Sequence, residues 1–232
     1  MRCRMVLALM CFIIAMSIGL PASASTIDWT DWTAFTAGNL TGTAAGSTPI
    51  NGVNVSYTGQ VLSNSVINGS FPSYAPATTF SGGTVANPPL PHDLIALSGG
   101  TGTGVNTLTF STAVVDPVMA IWSLGAGGAP ASFVFSASEP FTIQAGGPSA
   151  EFGGSSITQA GNAVNGVEGN GVIRFSGTFN QLTWTNPQFE FFYGFTVGVA
   201  GTGSTGVPEP ASLLLLSVGL GGLVALRRQK NA

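Results

Sequence analysis

Residues 53–61 read VNVSYTGQV and residues 189–199 read FEFFYGFTVGV. Each run alternates. Val53, Val55, Tyr57 and Val61 fall on one side of an extended chain, and Asn54, Ser56, Thr58 and Gln60 on the other. In the second run Phe189, Phe191, Tyr193, Phe195, Val197 and Val199 share a side. A period of two rich in β-branched and aromatic residues predicts strands with one buried face. Weaker segments of the same kind lie at 26–35, 94–97, 106–111, 118–124, 131–136, 141–144, 172–176 and 181–185. The stretch VMAIWSL at 118–124 is apolar throughout and predicts a central strand covered on both faces. Turn formers such as NPP, GGTGTG, GAGGAP and NGVEGNG separate these segments, and no part of the body has a helical period of useful length. The expected fold is all-β: a single antiparallel β-sandwich, jelly-roll-like, over residues 25–199, followed by a Gly/Ser/Thr linker at 200–206.

Only 6% of the residues are charged, against about 25% in a typical soluble domain. Between residues 25 and 207 there is one basic side chain, Arg174, against eight acids: Asp28, Asp31, Asp93, Asp116, Glu139, Glu151, Glu168 and Glu190. The body therefore carries a formal charge of −7, and its surface is hydroxyl and amide rather than ionic. Without a basic patch it is a poor partner for nucleic acid.

The basic residues collect at the two ends. Arg2 and Arg4 precede the apolar stretch 5–20, and Ala22-Ser23-Ala24 follows Pro21. This is the order of a secretory signal peptide at 1–24, with a signal-peptidase site at Ala22 and Ala24. Both cysteines, Cys3 and Cys11, fall inside it, so the mature chain has no thiol chemistry. The chain closes with VPEP at 207–210, an apolar stretch at 211–226, and Arg227, Arg228 and Lys230. Pro208 and Pro210 each fix φ and restrain the preceding residue, so Glu209 is offered on a stiff extended segment. The sixteen residues 211–226 as a helix span about 24 Å, slightly short of a hydrocarbon core of about 30 Å. That predicts a marginal transmembrane helix, stopped by the basic cluster on the cytoplasmic side, with the body outside.

This ending closely resembles the PEP-CTERM sorting signal, with Pro208, Glu209 and Pro210 as the motif, then the helix, then Arg227, Arg228 and Lys230 at 207–230. The resemblance implies recognition and processing by exosortase, a membrane-embedded cysteine transpeptidase. It also implies a Gram-negative bacterium that exports polysaccharide, transient residence in the inner membrane, and delivery to the cell surface or extracellular matrix.

The body offers little chemistry. His92 is the single histidine, and its neighbour Asp93 points elsewhere in an extended chain, so no Ser-His-Asp arrangement is expected. Metal sites built on His or Cys are excluded, and no cofactor is expected. Calcium could use Asn165, Glu168 and Asn170, or Asp28 and Asp31, but neither set matches a known loop pattern, and plain turns are the simpler expectation. The glycines of 99–104 lack the lysine and helix that phosphate cradling needs. Trp29 and Trp32, three apart, should face opposite ways in one strand, leaving Trp32 open to stack on a sugar, while Trp184 alternates with Leu182 as core. The leading expectation is a non-enzymatic surface or matrix protein associated with exopolysaccharide. A carbohydrate-binding module with a defined sugar site is the alternative, and a glycoside hydrolase, needing paired carboxylates, comes third.

Overall fold

The computed structural model describes residues 23–69 and 73–200. The expected signal and transmembrane helices, Ala22, the Pro-Glu-Pro motif and the basic cluster lie outside the described residues. The described chain is all-β. Its strands, in order, are β1 (Ile27–Trp29), β2 (Asp31–Thr36), β3 (Gly38–Ser47), β4 (Asn54–Val61), β5 (Ile95–Leu97), β6 (Asn106–Val115), β7 (Val118–Leu124), β8 (Ala131–Phe135), β9 (Phe141–Gly146), β10 (Ser155–Ser156), β11 (Thr158–Ala160), β12 (Ala163–Gly166), β13 (Gly169–Phe175), β14 (Thr178–Thr185) and β15 (Tyr193–Ala200). One helical turn, α1 (Ala77–Phe80), interrupts the connection from β4 to β5. Among the described residues no helix is long and apolar enough to cross a membrane.

The strands form two sheets. One has seven strands, ordered β1-β15-β7-β13-β10, with β5 also on β15 and β9 also on β13. The other has eight, ordered β11-β12-β8-β14-β6-β4-β3-β2. Pairing between strands is antiparallel except where β10 meets β13. The expectation of all-β, antiparallel structure holds. The expected count of about ten strands in one jelly-roll-like sandwich gives way to fifteen in two large sheets.

The sheets meet through aromatic rings. Phe195 of β15 lies 5.1 Å from Tyr57, 5.1 Å from Trp184, and 6.4 Å from Trp32 and Phe133, all four carried by the eight-stranded sheet. Phe135 meets Phe175 at 5.1 Å, and Phe133 meets Tyr193 at 5.6 Å. The alternation of β4 places Val55, Tyr57 and Val61 in this core. β7 is buried along its whole length, as its uniform apolarity predicts. Met119 and Ile121 face the shared core, and Val118, Ala120 and Trp122 face a second cluster with Ile27, Trp29, Tyr74, Phe80, Val85, Leu94 and Val172. The connection between β4 and β5, carrying Tyr74 and Phe80, covers that side of the sheet.

Buried polar groups form a chain at one end of the core. Asn106 Oδ1 accepts from the Tyr57 hydroxyl at 2.6 Å and the Gln60 N–H at 3.1 Å. Asn106 Nδ2 donates to Asn186 Oδ1 at 2.8 Å, which also takes the Trp184 indole N–H at 3.0 Å. Gln60 Oε1 accepts the N–H groups of Ser98 and Gly99, both at 2.8 Å, and so ties β4 to the end of β5 in the opposite sheet. Satisfied buried amides of this kind fix register as well as adding stability.

Two expectations fail for local reasons. Trp32 is fully buried: its ring packs on Phe195, and its indole N–H donates to Thr196 Oγ1 at 3.0 Å. The opposite-faces argument assumed one strand through 26–35, but β1 ends at Trp29 in one sheet and β2 begins at Asp31 in the other, so both tryptophans turn inward. Trp32 is therefore no sugar platform. Phe189 and Phe191, expected in line with Phe195, are 64% and 83% exposed, because β15 starts only at Tyr193 and Pro187 sits in the connection before it.

These contacts rank substitutions. Phe195→Ala should lower unfolding free energy by about 3–5 kcal/mol, and Phe191→Ala by no more than about 0.5 kcal/mol, measured by urea denaturation of the processed protein.

Candidate functional site

The two ends of β15 define the molecule's polarity. At its C-terminal end Ala200 pairs with Ile27 of β1, so the chain enters and leaves the described region side by side. Ser25 is held there by backbone bonds to Thr84 and Ala86, and Ala24 beside it is exposed. The other end of β15 lies about 25 Å away, at about 3.3 Å per residue over eight residues. The loops that follow β5 and precede β15 meet there.

This far end carries the aromatic pair Phe189 and Phe191, 6.2 Å apart and open to solvent. Phe189 lies against Gly100. The neighbouring Gly99, at φ +64, has no room for a methyl group, which would meet the Gln188 carbonyl and the Tyr193 hydroxyl. Between the two phenylalanines Glu190 turns inward and is 7% exposed. Its Oε1 accepts the Phe192 N–H at 3.2 Å, and the Gly125 backbone N–H also faces the carboxylate. Burial chiefly, with a smaller push from the Glu168 charge, raises the Glu190 carboxyl to about 7, against the pull of the Phe192 N–H. Glu168 Oε2 accepts the Ser123 hydroxyl at 2.7 Å, and Ser123 N–H donates to Asn170 Oδ1 at 2.8 Å. Ser123 and Glu168 both adopt left-handed φ values, +56° and +52°. Trp122, Phe152 and Phe192 pack beside them with centroids 5.4–6.0 Å apart.

The remaining sequence candidates disperse. Asp28 is buried and accepts the N–H groups of Ile50 and Asn51 at 2.9 and 2.6 Å, while Asp31 is exposed at the start of β2. Asn165 accepts from Ser132, and the Asn170 amide donates to the carbonyls of Gly153 and Glu168. Among the described residues no three His, Cys, Asp or Glu side chains converge on one point. His92 Nε2 stands 3.9 Å from Asp93 Oδ2, beyond hydrogen-bond length. Asp93 instead accepts the Trp32 N–H at 3.2 Å, and burial raises its carboxyl to about 6. Trp184 is core, as its alternation with Leu182 predicts. The solvent-facing tip at Phe189 and Phe191 was missed. The Asn186-Pro187 turn signal ahead of it marks where the apparent strand should have been cut.

Asp93 and Glu190 bind their protons more tightly in the folded chain than at their ordinary values of 3.8 and 4.5. Their contribution is full below about pH 4 and is lost as pH rises through 6 and 7. The melting temperature should rise on acidification from pH 8 to pH 5, and Asp93→Asn with Glu190→Gln should flatten that profile, as read by calorimetry.

No curated protein and no solved structure matches the chain. Residues 206–229 match the family model described as the PEP-CTERM protein-sorting motif. The motif implies export, transient anchoring in the membrane and exosortase as processing partner. The motif begins six residues after Ala200, where β15 leaves the sheet beside β1, and it identifies the chain as a carrier of the PEP-CTERM sorting signal.

Proposed function

We propose that this protein is a non-enzymatic component of the cell surface or extracellular matrix, released from a transient membrane anchor and held among exopolysaccharide. The observation that carries the reading is the sorting motif at 206–229, directly after the last strand of a folded β body. The body suits a neutral, hydrated matrix. Its one cation is already engaged, with Arg174 Nη2 3.1 Å from Asp116 Oδ2, so anionic surfaces find little to hold. Signal peptidase would act after Ala24, and Ser25 is where backbone pairing begins.

A hydrolase reading has less support. Glu168 and Glu190 are neighbours, but Glu190 is almost wholly buried, and a glycosidase needs both carboxyl groups open to the sugar. A groove of about 410 Å³ beside Glu139 holds one carboxylate, and that is committed to Thr183 and to the Ser136 N–H.

Intact mass of the protein isolated from its host's surface fraction tests the reading. The mature chain should begin at Ser25 and end within 207–210, and Pro208→Ala with Pro210→Ala should leave it full-length in the membrane fraction. A surface form that retains Arg227 and Arg228 would overturn processing.

A further inference from the structure

We propose that the outward face of the eight-stranded sheet binds a neutral polysaccharide through the hydroxyls of Ser56, Thr58, Thr107 and Thr109. The proposal rests on the matrix reading above and supplies its contact surface. Strand pairing sets these side chains in rows. Thr43 of β3 stands opposite Thr58 of β4, Thr58 opposite Thr107 of β6, and Thr107 opposite Thr183 of β14. Two residues along, Ala45, Ser56, Thr109 and Gln181 form a second row across the same strands. Adjacent strands are about 4.8 Å apart and alternate residues about 6.8 Å, so the two rows form a grid. They alternate with the buried Ala44, Val55, Tyr57, Leu108 and Leu182, and therefore point away from the core.

Three observations bear on what this face can hold. Cross-strand threonines can stabilise a sheet by bonding to one another. Here the described residues leave the hydroxyls of Thr43, Ser56, Thr58, Thr107 and Thr109 unengaged, and in the first row only Thr183 is committed, to Glu139. The face is also concave at one side. Next to the register shift between Trp32 and Ala34, a groove of about 370 Å³ runs along Thr33, Ser47, Asn54, Ser56, Thr109 and Ser111. Ser56 and Thr109 belong to both groove and grid. Finally, neither the groove nor the two rows contain a charged side chain, and Asp31, opposite Ser47, stands at the corner.

Those features select the ligand. A hydroxyl both donates and accepts, as sugar hydroxyls do, so the grid can pair with a polyol in many registers without a counter-ion. An anionic polymer would meet Asp31 and a body of charge −7. Ring stacking is not the mode, because the exposed phenylalanines lie off this face, Phe152 between β9 and β10 and Phe189 and Phe191 ahead of β15.

Affinity electrophoresis of the processed protein through dextran, hydroxyethyl cellulose and galactomannan, with alginate as the anionic comparator, tests the proposal. The natural sequence should be retarded by at least one neutral polymer and not by alginate. Ser56→Ala, Thr58→Val, Thr107→Val and Thr109→Val together keep the strand shape while removing the hydroxyls, and should weaken retardation at least about tenfold. Phe189→Ser with Phe191→Ser should leave it unchanged. If the fourfold variant loses its melting transition, single Thr58→Val and Thr109→Val changes should each weaken retardation by about twofold to tenfold. Equal retardation of folded hydroxyl variants and natural protein overturns this face as the site while polysaccharide association stands. Absence of retardation in every neutral polymer overturns the ligand, and export and processing are then judged separately by the mass of the mature chain.

Discussion

The seat of Phe195 joins the two sheets. Its ring is contacted by Tyr57, Trp184, Trp32 and Phe133, which come from four different strands of the opposite sheet. Edge-on contacts of this kind add to the burial of the rings themselves. The Asn106 amide group lies at the margin of this cluster, beside the Tyr57 hydroxyl, and shares Asn186 with the Trp184 indole. Apolar and polar ordering thus converge on Tyr57 and Trp184, and the registers of β4, β6 and β14 follow from both together.

Much of this architecture was legible because burial writes a period into the sequence. β4 alternates and has one buried face, and β7 is apolar throughout and has two. What escaped were strands whose inward residues are small. β3, GNLTGTAAGS, buries only Gly42 and Ala44, so hydrophobicity gives it no period, and its register comes from its neighbours. The reverse error occurred at FEFF, where the pattern continued but the pairing did not. Phe189 and Phe191 lie beyond the point where β15 finds β5 and β7 as partners.

The candidate surfaces were less legible than the fold, for the same reason. Trp32 looked available because, three residues from Trp29 in one strand, it would face the other way. Its fate depended on a change of sheet at Thr30, which is a tertiary event. The threonine rows need three separate registers to come into view. In the sequence they are isolated hydroxyl residues in β3, β4, β6 and β14. The sorting motif is local and contiguous, and so it could be read without a fold.

The pairing of Ile27 with Ala200 has a mechanical consequence. While the tail is anchored, drag on the body enters at Ala200 and runs along β15, which lies inside its sheet between β1 and β7. Pulling lengthwise on an interior antiparallel strand stretches its ladder bonds simultaneously, in shear, rather than parting them one by one. The tether is thus attached to a strand with partners on both sides, and drag on the anchored body loads both of its ladders together.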